Sequence, residues 1–436
     1  MNRAVYFDRD AYLNRNQALG IELPYAQSTN VLKQSLSIQG KIIHNRIACQ
    51  AMEGCDGTKD GCPSEMTNRR YMRFAKGGAG LIWYEATAVL PEGRANPRQL
   101  YIHKGNVEAF KTQIQAIKEA GLRENGYEPI IIMQATHSGR YSKPEGTPAP
   151  IIAYNNPIFE GDTPIAPDRI ATDAYLDQVR DALIQGAVLA KQAGFDGVDI
   201  KCCHRYLLSE LLSAYDRPGK YGGSYENRTR LLRESIQGAI DACGPDFIVT
   251  TRLNVYDGFP KPYGFGVSDS GEISMEEPIR LLQSLKEMGV HLVNISMGNP
   301  YFNAHVNRPF ALGAYEPGEH PMEGVARVLQ HTAALKKAVP EMHVLCSAIS
   351  YLGTQAPHVV AAYIEAGQFD LAGFGRTIFA YPDFAKDILT TGEMRKEKSC
   401  ICCSKCTELM RGGSTPGCVI RDELYQKIYK EWKCVR

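Results

Sequence analysis

Eight short apolar runs, beginning near residue 41 and separated by longer amphipathic stretches, are the feature that most restricts the fold of this chain. They are KIIHNRIACQ (41–50), AGLIWYEATAV (79–89), PIIIMQAT (129–136), GVDIKC (197–202), FIVTTRL (247–253), HLVNISM (291–297), HVLCSAI (343–349) and FDLAGFG (369–375). Between them, NVEAFKTQIQAIKEAGL, AYLDQVRDALIQGAVLAKQAGF, MEEPIRLLQSLKEMGV and QAPHVVAAYIEAGQ carry apolar residues at helical spacing, several closing on Gly. Strand-helix pairs repeated eight times predict a closed (β/α)8 barrel with a parallel sheet. A doubly wound open sheet is the alternative, but no G-x-G-x-x-G turn follows an early run.

The expected architecture is therefore α/β: a TIM barrel over residues 1–395, followed by a short Cys-rich extension at 396–436. A length of 436 residues suits one such barrel with insertions. The first 40 residues are expected to cap the end opposite the catalytic face or to pack on the barrel's side. Long insertions at 137–172, 203–230, 254–275 and 298–323 follow strands, so in a barrel they emerge at the catalytic face. Their aromatic residues, Tyr141, Tyr256, Phe259, Tyr263, Phe265, Tyr301 and Phe302, are candidates for packing against a flat ring.

Forty-nine Lys and Arg against 48 Asp and Glu leave no electrostatic case for a nucleic-acid or anionic-membrane partner. The N-terminal MNRAVYFDRDAYLNRNQ has no apolar signal region, and no run of about 18 apolar residues occurs. A cytoplasmic protein is expected. Thirteen cysteines then argue for a reducing compartment rather than a disulfide framework, and five of them fall between residues 400 and 418. Cys400, Cys403 and Cys406 stand as C-x2-C-x2-C, with Cys418 after a gap of eleven residues. Four thiolates so placed can converge on one tetrahedral metal or on the corners of a cube, leaving Cys402 outside the ligand set.

At the third run, QATHSGRYS places Gln134 near a strand end, with donor and acceptor to offer a flavin-like ring edge or a structural hydrogen bond. The fourth run leads into Lys201, His204 and Tyr206. The first two side chains can donate to one carbonyl oxygen, and the phenol can deliver a proton. A surface Lys, a loop His and a core Tyr are the plainer alternative.

In order along the chain, NRIACQAMEG, GGAGLIWYEATAV, QATHSGRY, GFDGVDIKCCHRYLLSELLS, YGGSYENRTR, the TTRL run and DLAGFGRTIFAYPDFAKDI resemble the Old Yellow Enzyme superfamily, including its enoate and 2,4-dienoyl-CoA reductase branch. The resemblance covers most of the chain. It implies an FMN-bearing barrel that takes electrons from NAD(P)H and reduces an α,β-unsaturated carbonyl compound, a flat polycyclic enone such as a flavone among the candidates. It further implies that Met52, Glu53, Ala86 and Gln134 line the flavin ring and that Arg252 lies near its N1 and O2 edge. Arg376, with the backbone at Gly375, Ser347 and Ala348, is implied for the phosphate.

Tyr206 matches the family's proton donor, and Lys201 with His204 match the pair that grips the carbonyl oxygen. At the phosphate, Ser347, Ala348 and Ile349 stand where relatives often have Gly-rich backbone, the Ser347 hydroxyl being expected to compensate, and two further positions depart from type. Lys201 stands where relatives usually have His, and Glu53 where they carry a small hydroxyl or a His. Relatives such as trimethylamine dehydrogenase hold a 4Fe-4S cluster on similar cysteine spacings, which favours iron-sulfur over zinc for Cys400, Cys403, Cys406 and Cys418. In those relatives the cluster relays electrons from further FAD and nucleotide domains, for which the resemblance here gives no counterpart. A structural cluster, or one served by a separate electron-donor protein, are both expected forms, and a homo-oligomer is compatible with either. The competing activities are an amine dehydrogenase running the flavin oxidatively, an RNA-modifying FMN barrel and an electron-transfer module.

Overall fold

The computed structural model describes residues 5–435. Two short antiparallel strands, β1 (Leu36–Ile38) and β2 (Lys41–Ile43), precede eight parallel ones: β3 (Ile47–Cys49), β4 (Leu81–Ala88), β5 (Ile130–Thr136), β6 (Gly197–Ile200), β7 (Ile248–Asn254), β8 (Leu292–Ser296), β9 (His343–Cys346) and β10 (Leu371–Phe374). The eight close into a barrel in chain order, with β10 pairing back onto β3. Every one of the eight apolar runs contributes a barrel strand. The first run splits, because Asn45 interrupts it: its side-chain carbonyl accepts from the backbone N–H of Ile47 and of Gly80. Residues 41–43 thereby belong to a hairpin and only 47–49 to the barrel.

The barrel interior is layered. At the N-terminal end, Leu36, Ile38 and Ile43 of the hairpin pack onto Ala48, Leu81, Ile130, Ile248, Leu292, Leu345 and Leu371, forming an apolar plug. Toward the C-terminal ends the interior turns polar. Gln50 and Asn294 exchange side-chain amide hydrogen bonds of 3.0 and 2.8 Å. The buried Asp199 carboxylate accepts from Trp83 Nε1 at 2.7 Å, Gln134 Nε2 at 2.6 Å and the Arg252 backbone N–H at 2.6 Å. A Cβ added at Gly373 would lie 2.3 Å from Gln50 Nε2 and 2.5 Å from the Cys346 carbonyl, so only glycine lets β10 approach this polar layer.

Both placements expected for the first 40 residues occur. The hairpin closes the bottom, while the preceding segment packs on the side: Tyr25 stacks on His358, at 5.0 Å between ring centroids, and donates to Gln355. The outer helices include Val107–Asn125, Asp173–Gln192, Glu276–Glu287 and Ala356–Glu365, which lie where the helical spacing predicted them. No helix among the described residues is long and apolar enough to cross a membrane.

The C-terminal segment folds back over the catalytic face. Asp422 is gripped by Arg69 and Arg73 of the helix Glu65–Lys76, and Arg98 donates to Thr415 Oγ1 and the Gly413 carbonyl, each at 3.1 Å. These bonds place the helix Lys405–Arg411 over the barrel mouth.

Candidate active site

A cleft enclosing about 1060 Å³ opens at the C-terminal ends of the strands. Met52, Glu53, Ala86, Gln134, Lys201, His204, Tyr206, Arg252, Ser347, Ala348, Gly375 and Arg376 all lie in its wall. They come from seven strands or the loops that follow them, a convergence that only barrel closure produces. The sequence reading did not place Gln50, Asn307, Arg308 or Ser350 in this cleft, nor the lid of Cys406, Thr407, Met410 and Pro416 supplied by the extension. Of these only Cys406 is marked by spacing, as a metal ligand, and the fold-back of the extension brings the lid in.

Just beyond β6, His204 and Arg205 adopt left-handed φ values of 66° and 60°. The surrounding structure holds that turn. Arg205, wholly buried, pairs with Asp257 at 2.9 Å and donates to Ser213. Non-glycine residues in this region store strain, which is tolerated where it aims a functional group. His204 Nε2 lies 3.2 Å from Ser296 Oγ, Lys201 Nζ lies 3.7 Å from the centroid of the Tyr206 ring, and the Tyr206 and Tyr301 hydroxyls are 2.9 Å apart. Tyr301 in turn stacks on Tyr141, with centroids 3.8 Å apart, and Asn299 donates to the Tyr141 hydroxyl at 2.6 Å.

Burial governs the electrostatics. It pushes the Tyr206 phenol well above its ordinary range, with the neighbouring Tyr301 and Glu53 adding in the same direction, so the phenol keeps its proton. Burial and the charges of Arg252 and Lys201 hold His204 well below its usual value, which leaves a neutral imidazole. Burial also lowers Lys201, opposed by Cys203 and Glu53. The Glu53 carboxyl, which accepts from Asn96 Nδ2 at 3.1 Å, is raised to about 7, mainly by burial and against the pull of Lys201.

One end of the cleft is strongly cationic. Arg308 and Arg376 both line it, neither facing a carboxylate; Arg376 gives one N–H to the Pro309 carbonyl at 2.6 Å while its Nη1 is buried without a partner. Burial first, and the charge of Arg376 second, lower Arg308 to about 10. The buried Arg252 Nε is also unpartnered. Two such unpartnered donors, on residues that line the cleft beside a glycine whose added Cβ would meet only Met52 Sδ at 3.6 Å, fit a phosphorylated, anionic cofactor. Ser347 contributes less than expected, because its hydroxyl proton is committed to the Ile295 carbonyl at 2.7 Å.

The loop after β5 supplies framework. His137 bonds the Tyr175 hydroxyl and accepts from Gly139, and burial lowers it to about 4. Arg140 is locked in a buried pair with Glu160 and Glu210. Of the loop aromatics expected at a flat ligand, only Tyr301 reaches the cleft. Phe259 and Phe302 pack edge-on with Phe159 instead, and Phe265 is in the core, since burying rings against one another satisfies them without a ligand.

Cys400, Cys403, Cys406 and Cys418 line a second cavity of about 370 Å³, together with Cys402 and with no Asp, Glu or His in its wall. Among the described residues, no three or more metal-ligating side chains come close enough to hold a single ion. The donors in that wall are all sulfur, the ligand type of iron-sulfur clusters and of structural zinc sites alike. Arg376, Phe379 and Cys406 line both cavities and form the partition between them.

The barrel, its polar upper layer and a cationic cleft at the strand ends define a cofactor-dependent barrel enzyme. Residues 32–392 match the NADH:flavin oxidoreductase / NADH oxidase family, and the chain belongs to it, within the Old Yellow Enzyme superfamily. It is an FMN-dependent oxidoreductase that uses NAD(P)H. It is 32% identical to an NADPH dehydrogenase of Geobacillus sp. (strain WCH70) over 268 residues, 60% of this chain and 71% of that one. Among solved structures, a 2-naphthoyl-CoA reductase in complex with 2-naphthoyl-CoA superposes with a TM-score of 0.72 at 20% identity, covering 93% of this chain and 58% of that one. An old yellow enzyme homologue from Zymomonas mobilis superposes with a TM-score of 0.62 at 21% identity, covering 84% and 94%.

Proposed function

We propose that the chain is an ene-reductase, reducing the C=C bond of an α,β-unsaturated carbonyl compound at the expense of NAD(P)H. The observation that carries this reading is the packed trio of Lys201, His204 and Tyr206 in the wall of the cleft that also holds Gln134 and Arg252. When bound, FMN supplies the hydride, received from NAD(P)H and delivered to the substrate β-carbon. Gln134, tethered through Nε2 to Asp199, keeps its carbonyl oxygen for the ring edge, with Met52, Glu53, Ala86 and Ala348 beside it. Arg252 offsets negative charge at the pyrimidine edge, and Arg376 with the Gly375 backbone takes the phosphate. Lys201 and His204 hold the substrate carbonyl oxygen as charge builds there, and Tyr206 gives its hydroxyl proton to the α-carbon.

Residues 1–395 carry this chemistry on the proposed reading, and 396–436 add a 4Fe-4S site on Cys400, Cys403, Cys406 and Cys418. Such a cluster supplies one-electron chemistry or a cross-link between the extension and the barrel. The oxidative alternative, with an amine as substrate, is disfavoured. Lys201, Arg252, Arg308 and Arg376 line the cleft with one carboxylate, Glu53, among them and repel an ammonium group. An anaerobic assay of the FMN-loaded protein separates the two. Formation of saturated ketone from an enone with NAD(P)H is expected, whereas turnover of a tertiary amine with an artificial electron acceptor, and none of the enone, contradicts the reading.

A further inference from the structure

Beside the cleft lies an antechamber of about 1530 Å³, and Glu53, Tyr301 and Met410 line both. Three cations stand in the antechamber wall, each from a different part of the chain. Arg98 comes from the loop after β4, Lys143 from the insertion after β5, and Arg411 from the C-terminal extension. Arg98 and Arg411 touch only neutral oxygens: Thr415 Oγ1 and the Gly413 carbonyl at 3.1 Å, and the Pro300 carbonyl at 2.5 Å. The Lys143 side chain makes no hydrogen bond or ion pair among the described residues. Glu53 is the only carboxylate in the wall. A chain of net charge +1 over 436 residues does not produce this excess by composition. Cations gathered at a cavity mouth focus the field onto whatever enters.

We infer that this mouth is an anion subsite, in which Arg98, Lys143 and Arg411 hold a phosphate or carboxylate on the ligand whose reactive end occupies the cleft. The inference rests on the flavin-site reading given above. Guanidinium groups pair bidentately with either anion, while the ammonium of Lys143 acts as a point charge. The anion has two chemical sources, the phosphates of NADPH or an acidic substituent on the substrate.

Variants Lys143→Glu and Arg411→Gln of the FMN-loaded protein test it by two routes. The first is flavin reduction by NADPH and by NADH with no substrate present. The second is turnover of a neutral cyclic enone and of a carboxylate-bearing enone. The Lys143 side chain has no partner among the described residues, so its replacement leaves folding intact, and Arg411→Gln keeps a donor for Pro300. Reversal at Lys143 is expected to cut kcat/KM about tenfold for the ligand that carries the anion, through KM, and to flatten its salt dependence. A loss confined to NADPH assigns the subsite to the dinucleotide; a loss confined to the acidic enone assigns it to the substrate. Unchanged constants for every ligand, or equal losses for charged and neutral ligands, overturn the inference. Failure of the parent protein to reduce any enone rejects the ene-reductase reading instead. The flavin-reduction route then decides alone, and an unchanged NADPH constant overturns the subsite.

Discussion

The ammonium of Lys201 lies 3.7 Å from the centroid of the Tyr206 ring, so the cation and the phenol are one packed unit. A cation against a ring face lowers the cost of negative charge on the ring oxygen, and here it does so where burial otherwise keeps the phenol protonated. On the proposed reading Lys201 sets a basic side chain beside the substrate oxygen, with burial pulling the amine below its ordinary range and Cys203 and Glu53 opposing that shift.

Lys201→Met is expected to lower kcat/KM about a hundredfold across a panel of enones, the scale of one lost oxyanion donor. The anaerobic rate of flavin reduction by NAD(P)H is expected to change far less. An unchanged kcat/KM over the panel contradicts the role given to Lys201.

Tyr206→Phe removes the proton and the bond to Tyr301 but keeps the ring over which Lys201 packs. Enone turnover is expected to fall by about two to four orders of magnitude, the range of general-acid catalysis. Flavin reduction by NAD(P)H persists, and stopped-flow measurement of the two half-reactions separates them.

Glu53 sets a pH dependence. Its carboxyl is raised from 4.5 to about 7, so in that interval the folded protein holds a proton that the unfolded chain has released. Stability from this group is present at low pH and is lost as pH rises through about 7. Glu53→Gln is expected to raise Tm near pH 8 and leave it unchanged near pH 4. The same substitution is expected to remove an inflection near 7 from the pH profile of enone turnover, since the ionised carboxylate offsets the Lys201 charge.

Arg205 and Asp257, both fully buried, hold the left-handed turn that carries His204. Asp257→Ala strands a guanidinium in the interior and is expected to destabilise the fold by about 3–5 kcal/mol. Urea titration of the FMN-saturated protein reads this directly.

Much of this arrangement was legible in the sequence, for identifiable reasons. A barrel strand is buried on both faces, so each wrote a dense Val and Ile run, and a break such as Asn45 was hidden only because apolar residues flank it on both sides. Lys201, His204, Tyr206, Gln134 and Arg252 were found because strand ends carry catalytic groups and because their local motifs resemble a family. Met410 and the other lid residues were not, since they reach the cleft through the fold-back of the extension, a tertiary event that leaves no periodicity, and Arg308 was not because it stands in the insertion after β8 without a local motif. The aromatic residues of the loops misled for the converse reason: Phe259 and Phe302 have the right composition for a ligand wall but find their partner in Phe159.

Anaerobic purification and assay of iron and sulfide test the second centre. Replacement of Cys406, which lines both cavities, by Ser is expected to lose iron, whereas Cys402→Ser is expected to retain it. Equal iron contents in the two variants contradict the proposed ligand set.

The central claim is tested most directly by reducing the FMN-loaded protein anaerobically with one equivalent of NAD(P)H and mixing it with a neutral cyclic enone. Recovery of the oxidised flavin's visible band, with one saturated ketone formed per flavin and the recovery slowed in Tyr206→Phe, is the predicted result. A flavin that stays reduced in the presence of the enone, or is reoxidised without consuming it, contradicts the account.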